Sequence, residues 1–143
     1  MRSLIRSLTV EQEWLEAFPL IRQLRPHLTE ASYLELVHEA TKNEGYRMFA
    51  LEVEDTLCAV IGFMPQTTLY NGKGIWVTDL VTDEHHRSNG YGLMLLAHVE
   101  AWAKTKGYEA ISLSSNVSRT EAHRFYMEKG VYDKVSYVFK KRL

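Results

Sequence analysis

The chain has 143 residues, 45% of them hydrophobic and 24% charged, with a formal net charge of -1. That is enough for one globular domain and too little for two ordinary ones. No apolar run approaches the roughly 18 residues of a membrane span, and Lys and Arg are scattered among Asp and Glu with no basic block, which argues against membrane insertion and nucleic-acid binding. The opening residues carry no export signal, so a cytoplasmic protein is expected.

In chain order, Ser3 to Leu8 reads as a short strand. Glu11 to Leu24 follows as a helix, with Trp14, Leu15, Phe18, Ile21 and Leu24 on one face despite Pro19. Thr29 is the expected N-cap of a second helix, whose apolar set Tyr33, Leu34, Val37 and Ala40 leads to a stop at Asn43 to Gly45. Tyr46 to Val53, Leu57 to Gln66 and a run from Gly74 form a meander. Its first turn is the acidic pair Glu54 and Asp55, and Asn71-Gly72 predicts a type I′ turn for the second. A helix with Leu93, Leu96, Val99 and Ala103 on its buried stripe ends at Gly107. A strand in "EAISLSS", a helix closed by Gly130, and a last strand from Val135 to Lys140 complete the chain. The fold class is α/β, a single domain over 1–143 with a mixed central sheet in the order β-α-α-β-β-β-α-β-α-β.

Cys58 is the one cysteine, and its apolar neighbours make it a core residue. The six histidines lack metal-ligand spacing, so no metal is expected.

The chemistry is concentrated where the strand "WVTDLVT" runs into "HHRSNGYGLMLL". A loop that enters a helix from a strand points unpaired backbone N–H groups outward, and glycines let an anion approach them. The dinucleotide fingerprint fails because its third glycine is Leu95, and the nucleoside-triphosphate loop fails for want of Gly-Lys-Ser/Thr. What stands is an Arg-x-x-Gly-x-Gly pattern, Arg87-Ser88-Asn89-Gly90-Tyr91-Gly92.

This pattern resembles the acetyl-CoA pyrophosphate loop of the GNAT family of N-acetyltransferases. A second stretch, "NVSRTEAHRFYMEKG", is similar to the family's later signature at Ala122, Tyr126 and Gly130. It is most similar to small members that include the aminoalkylphosphonate N-acetyltransferases. The resemblance implies acetyl transfer from acetyl-CoA to the primary amine of a small molecule, by direct attack in a ternary complex; homodimers are frequent among such enzymes. It implies Asp79 as base, Tyr126 as acid, a main-chain N–H near Leu80 or Val81 for the oxyanion, and Thr82 and Asn116 beside the pantetheine arm. Two departures accompany it: Val131 stands where an aromatic is frequent, and Arg119 where the family has Asn.

Alternation along the strand expects Asp79 to point away from Thr78 and Leu80. A carboxylate of ordinary pKa, about 3.9, abstracts a proton from an alkylammonium near 10 only with help, through a raised pKa or a water relay. The acceptor pocket is expected between the two N-terminal helices and the meander, within reach of Arg22, Arg25, His27 and Arg47. A protein or peptide N-terminus as acceptor, or a non-catalytic CoA-binding regulatory module, are the competing functions.

Overall fold

A computed structural model describes residues 2–115 and 118–143. The chain divides into two compact units, 1–112 and 113–143, each described by itself.

In the first unit, β1 (Ser3–Leu8) leads into α1 (Glu11–Leu24) and α2 (Glu30–Glu44), followed by β2 (Arg47–Val53), β3 (Thr56–Thr68) and β4 (Gly72–Thr82). A 3₁₀ turn at Glu84–His86 precedes α3 (Tyr91–Thr105), and β5 (Ala110–Leu113) begins at the end of the unit. Both N-terminal helices have the bounds that their local signals dictate. Glu13 reaches back to accept the N–H of Thr9 and of Val10, which closes the first turn of α1. The Thr29 hydroxyl accepts the Ser32 N–H at 3.1 Å, and α2 ends at Gly45 in the left-handed conformation, φ 70°. The Tyr46 N–H then bonds the Ala40 carbonyl at 3.2 Å, so the end of α2 fixes Tyr46 directly before β2.

The sheet order is β1-β2-β3-β4-β5, antiparallel from β1 through β4. The Glu109 N–H donates to the Lys73 carbonyl at 2.7 Å, which sets the start of β5 beside the start of β4, as a β-α-β crossover requires. Strand alternation sorts the core. Met48, Ala50, Val60 and Val81 pack with Trp14, Phe18, Ile21, Tyr33 and Val37 of α1 and α2. On the opposite face Phe49 and Phe63 meet Trp102 of α3, with ring centroids 6.5 and 5.1 Å apart. A fully buried large side chain among these, such as Phe63 or Met48, contributes about 1.5–3 kcal/mol. Cys58 is 1% exposed, and burial pushes its thiol pKa up, in keeping with a core role.

The expected type I′ turn is not at Asn71-Gly72. Thr68 pairs with Gly72 across a three-residue loop, and the Asn71 N–H bonds the Thr68 hydroxyl. The two-residue turn with both φ angles positive falls instead on Glu54 and Asp55, at 51° and 65°, between the pair Val53 and Thr56. Exit geometry of the two strands decides the turn, and an Asn-Gly pair permits a type I′ conformation without imposing it.

In the second unit, α4 (Thr120–Arg124) continues as a π turn over Phe125–Lys129. The Gly130 N–H bonds the Phe125 carbonyl at 3.0 Å. Gly130 itself has φ −85°, and the left-handed position passes to Val131, φ 59°, where a β-branched residue sits at a steric cost. Element order agrees with expectation through α4. Residues 131–143 do not form the expected last strand at Val135 to Lys140; Tyr137 and Phe139 are exposed. Their alternation satisfies strand propensity, but a strand exists only through a paired neighbour, and no ladder involves these residues.

Among the described residues, no helix is long and apolar enough to cross a membrane, and no group of three or more His, Cys, Asp or Glu could hold a metal ion.

Candidate active site

The register of β3 against β4 shifts by one residue: Phe63 pairs with Val77, whereas Gly62 pairs with Asp79, so Thr78 is the extra residue of a β-bulge. Regular alternation would put residues 77, 79 and 81 on one face. With the bulge, Val77 pairs with Phe63 on the α3 side, while Asp79 shares the α1–α2 side with Val81. The expectation that Thr78 points away from Asp79 is therefore corrected, since both line the same cavity.

That cavity, of about 260 Å³, lies where it was expected, bounded by α1, α2 and the meander. Asp79 is at its polar end, with its side chain 18% exposed. Three donors hold the carboxylate. The Tyr46 hydroxyl donates to Oδ2 at 2.9 Å, the Thr78 hydroxyl to the same oxygen at 2.7 Å, and Arg25 Nε to Oδ1 at 3.3 Å. Arg25 also donates through Nη2 to the Thr78 carbonyl at 2.8 Å, so the guanidinium clamps the bulge as well as the acid. Oδ2 has both lone pairs engaged; Oδ1 retains one for a ligand.

Tyr46 is buried, and the hydroxyl of its ring occupies the place a Cβ on Gly62 would take. Desolvation, then the neighbouring Asp79 charge, holds the Tyr46 phenol well above its ordinary pKa, so it stays a protonated donor. Tyr33 is raised by the same two causes in the same order, and its hydroxyl donates to the Trp14 carbonyl at 2.7 Å. Of the four basic residues expected near this pocket, Arg25 and His27 line it. Arg47 instead stacks on the Trp102 ring at 5.2 Å, and Arg22 is exposed on α1 and does not line the pocket.

Beyond Asp79, Leu80 and Thr82 are half-buried and Val81 is buried in the α1–α2 core. Strand β5 is four residues long against the eleven of β4, and the two start together. The C-terminal part of β4, where Leu80 and Val81 lie, thus extends past its neighbour.

The chain then passes through Asp83, which is heavily tied. Its carboxylate accepts from Gln23 Nε2 at 2.9 Å and bonds His86 Nδ1 at 2.7 Å, while Gln23 Oε1 accepts the Glu84 N–H. The Gln23 bond first, and the His86 bond after it, lower the Asp83 pKa. Arg87, Ser88, Asn89 and Gly90 are exposed; Ser88 and Gly90 have φ of 69° and 78°. Asn89 Nδ2 donates to the His86 carbonyl at 3.0 Å, bracing the loop from within. Gly90 is the N-cap of α3 with no side-chain cap, Tyr91 is buried and Gly92 is in the first turn. The space around a would-be Cβ on Gly90 is open to 4 Å. An uncapped 15-residue helix start with open space before it suits a phosphate group.

Tyr126 belongs to the second unit, in the π turn. Its ring makes an edge contact with Phe125 at 5.3 Å, and its carbonyl accepts the Tyr132 N–H at 2.9 Å. Burial raises its pKa, partly opposed by Arg119, so the phenol is protonated at neutral pH. Asn116 lies outside the described residues.

The structure brings Asp79, Leu80, Val81, Thr82 and the Arg87–Gly92 loop into one unit. Tyr46 and Thr78, which bond Asp79, and Gln23, which bonds Asp83, were not singled out as candidate site residues in the sequence. Tyr46 carries one retrospective signal, its position directly after a helix-ending Gly; for the other two we find none.

The bulged β4 leads into an open, glycine-containing helix start. Residues 8–131 match the acetyltransferase (GNAT) family, and the chain belongs to that family. It is an acyltransferase of the N-acetyltransferase class. It is 37% identical over 137 residues to the uncharacterized N-acetyltransferase YhdJ of Bacillus subtilis (strain 168), covering 96% of each chain. A 67-residue stretch is 37% identical to the aminoalkylphosphonate N-acetyltransferase of Salmonella typhimurium (strain LT2), covering 47% of this chain and 43% of that one. Among solved structures, the aminoglycoside N-acetyltransferase AAC(6')-Iy in complex with CoA superposes with a TM-score of 0.84 at 15% identity, over 99% of this chain and 95% of that one.

Proposed function

We propose that the chain, as one N-acetyltransferase domain over 1–143, transfers the acetyl group of acetyl-CoA to the primary amine of a small molecule by direct attack in a ternary complex. The family match crosses residue 112, which supports treating both units as one functional domain. The observation that carries the reading is Asp79, fixed by three donors at the end of a cavity with one lone pair of Oδ1 left over.

Acetyl-CoA supplies the activated acetyl thioester. Arg87, Ser88, Asn89, Gly90, Tyr91 and Gly92 would hold its pyrophosphate, which the open space at Gly90 and the uncapped start of α3 fit. Leu80, Val81, Thr82 and Asn116 are assigned to the acetyl and pantetheine end. Of these, an unpaired N–H of Leu80 or Val81 is the donor for the carbonyl oxygen as it gains charge.

Asp79 Oδ1 accepts a hydrogen bond from the amine, orients its lone pair and relays its proton to water. Tyr126 is the acid that protonates the departing sulfur. Giving a phenol proton of ordinary pKa, about 10, to a thiolate near 8.5 is uphill by about 2 kcal/mol, and the burial of Tyr126 makes it steeper. The step therefore relies on the collapse of the reacting centre to pull it forward. Among small amines, the aminoalkylphosphonates are one set, suggested by the partial likeness to an enzyme of that name.

Free-thiol release from acetyl-CoA across a panel of amines and peptides tests this function. Tyr126→Phe should lower turnover at least about tenfold with CoA affinity nearly intact. An unchanged rate removes Tyr126 from the acid role. Tight CoA binding with no thiol released for any amine would make the chain a binding module.

A further inference from the structure

We propose that the acceptor is a small alkyl- or arylalkylamine, an amine whose body is apolar; this rests on the function proposed above and narrows its substrate class. Six aliphatic side chains line the cavity: Ile21, Leu28, Leu36, Val37, Ala40 and Met64. Asp79 is the one carboxylate on its wall among the described residues. A primary ammonium or amine at Asp79 thus leaves the rest of the ligand against hydrocarbon, where every methylene removed from water favours binding.

Two other classes of amine fit the wall poorly. A polycationic, polyhydroxylated amine brings several charges and hydroxyls, and for these the cavity offers a single carboxylate that Arg25 already shares. Desolvating unpaired ammonium groups against Leu28 and Val37 is costly. An aminoalkylphosphonate needs a cationic partner for its dianion. The Arg25 guanidinium already spends Nε on Asp79 and Nη2 on the Thr78 carbonyl, and His27 is exposed to solvent. A phosphonate bound through the remaining N–H groups of Arg25 would share that one guanidinium with Asp79 and set two anions in one small cavity. The volume, about 260 Å³, is below the roughly 300–1,000 Å³ of pockets for drug-sized ligands, which keeps the body small.

The experiment measures kcat/KM by thiol release for linear amines from propylamine to hexylamine and for phenethylamine, against 2-aminoethylphosphonate and an aminoglycoside. In parallel, calorimetry reads the binding of the same amines. The account expects a rise of up to about fourfold per methylene until the cavity is filled. Leu36→Gln, at an exposed position on the rim, and Met64→Gln, at a half-buried one, should each flatten that series. A flat series in the wild type, or a higher kcat/KM for the phosphonate or the aminoglycoside than for every alkylamine, overturns the inference and leaves the acetyltransferase function standing. Methylene-graded binding of alkylamines without thiol release supports the inference while overturning the proposed reaction. No binding of any alkylamine overturns it outright.

Discussion

Asp79 and the Arg87–Gly92 loop both follow from the same end of β4, and they are built in opposite ways. Around Asp79 the side chains do the work and are committed in advance. Tyr46, Thr78 and Arg25 hold the carboxylate, and a single lone pair is left to define where a ligand sits. At Gly90 the backbone does the work. The helix start lacks a side-chain cap, and among the described residues no atom comes within 4 Å of a would-be Cβ on Gly90. A preorganised carboxylate suits a step in which a small amine must be aimed within a fraction of an ångström. An open backbone suits an anion that any such scaffold must hold and no side chain need select.

The comparison breaks most visibly at Asp79. Asp79→Asn replaces an acceptor that three donors share with a group half of which donates, so either the Arg25 guanidinium or the Tyr46 and Thr78 hydroxyls must face an N–H. Steady-state kinetics should show kcat/KM down at least about 100-fold, or about 2.7 kcal/mol in the barrier.

A smaller effect sharpens the role of the buried support. Gly62→Ala puts a methyl group where the Tyr46 hydroxyl lies, and should destabilise the fold by about 1–3 kcal/mol in a denaturant titration. Adding Tyr46→Phe removes the nearest clashing atom, though the ring carbon that bore it stays 2.6 Å from the added methyl, and should recover part of the stability but not the activity. Equal midpoints for the single and double variants would show that Tyr46 is not held over Gly62.

The smallest effect is on pH dependence. Tyr46 and Tyr33 have pKa values raised by burial, so above about pH 10 the unfolded chain loses those protons first. Their contribution is intact below that pH and is lost as pH rises through the raised values, at up to about 1.4 kcal/mol per pH unit for each tyrosine. Tyr46→Phe should remove one such share, measured as the slope of unfolding free energy between pH 10 and pH 11 in a thermal or urea series.

Much of this was legible from residues that act on their immediate neighbours. Thr29 and Gly45 set the ends of α2 by bonds within one turn, and the apolar spacing of α1 places Trp14, Phe18 and Ile21 in the core. The loop at Gly90 was legible for the same reason, since a left-handed residue before a helix leaves a local mark. What depends on a partner distant in the chain was not. The bulge that turns Asp79 toward the pocket comes from its register against Gly62, and Thr78 looks like any strand threonine. Arg25 and Arg47 were equivalent cations in the sequence, and packing alone gave one to Asp79 and the other to Trp102. The tail from Val135 has strand alternation and no strand, because pairing is a property of two segments.

The division of labour between the two regions is tested most directly by titrating CoA into the wild type, Gly90→Val and Asp79→Asn, with affinity read by calorimetry. A valine at φ 78° is strained and carries its branched side chain into the space where the phosphate would approach. The account predicts CoA affinity at least about tenfold weaker for Gly90→Val and within about twofold of wild type for Asp79→Asn. Undiminished CoA affinity in Gly90→Val, or a loss in Asp79→Asn as large as that in Gly90→Val, would contradict it.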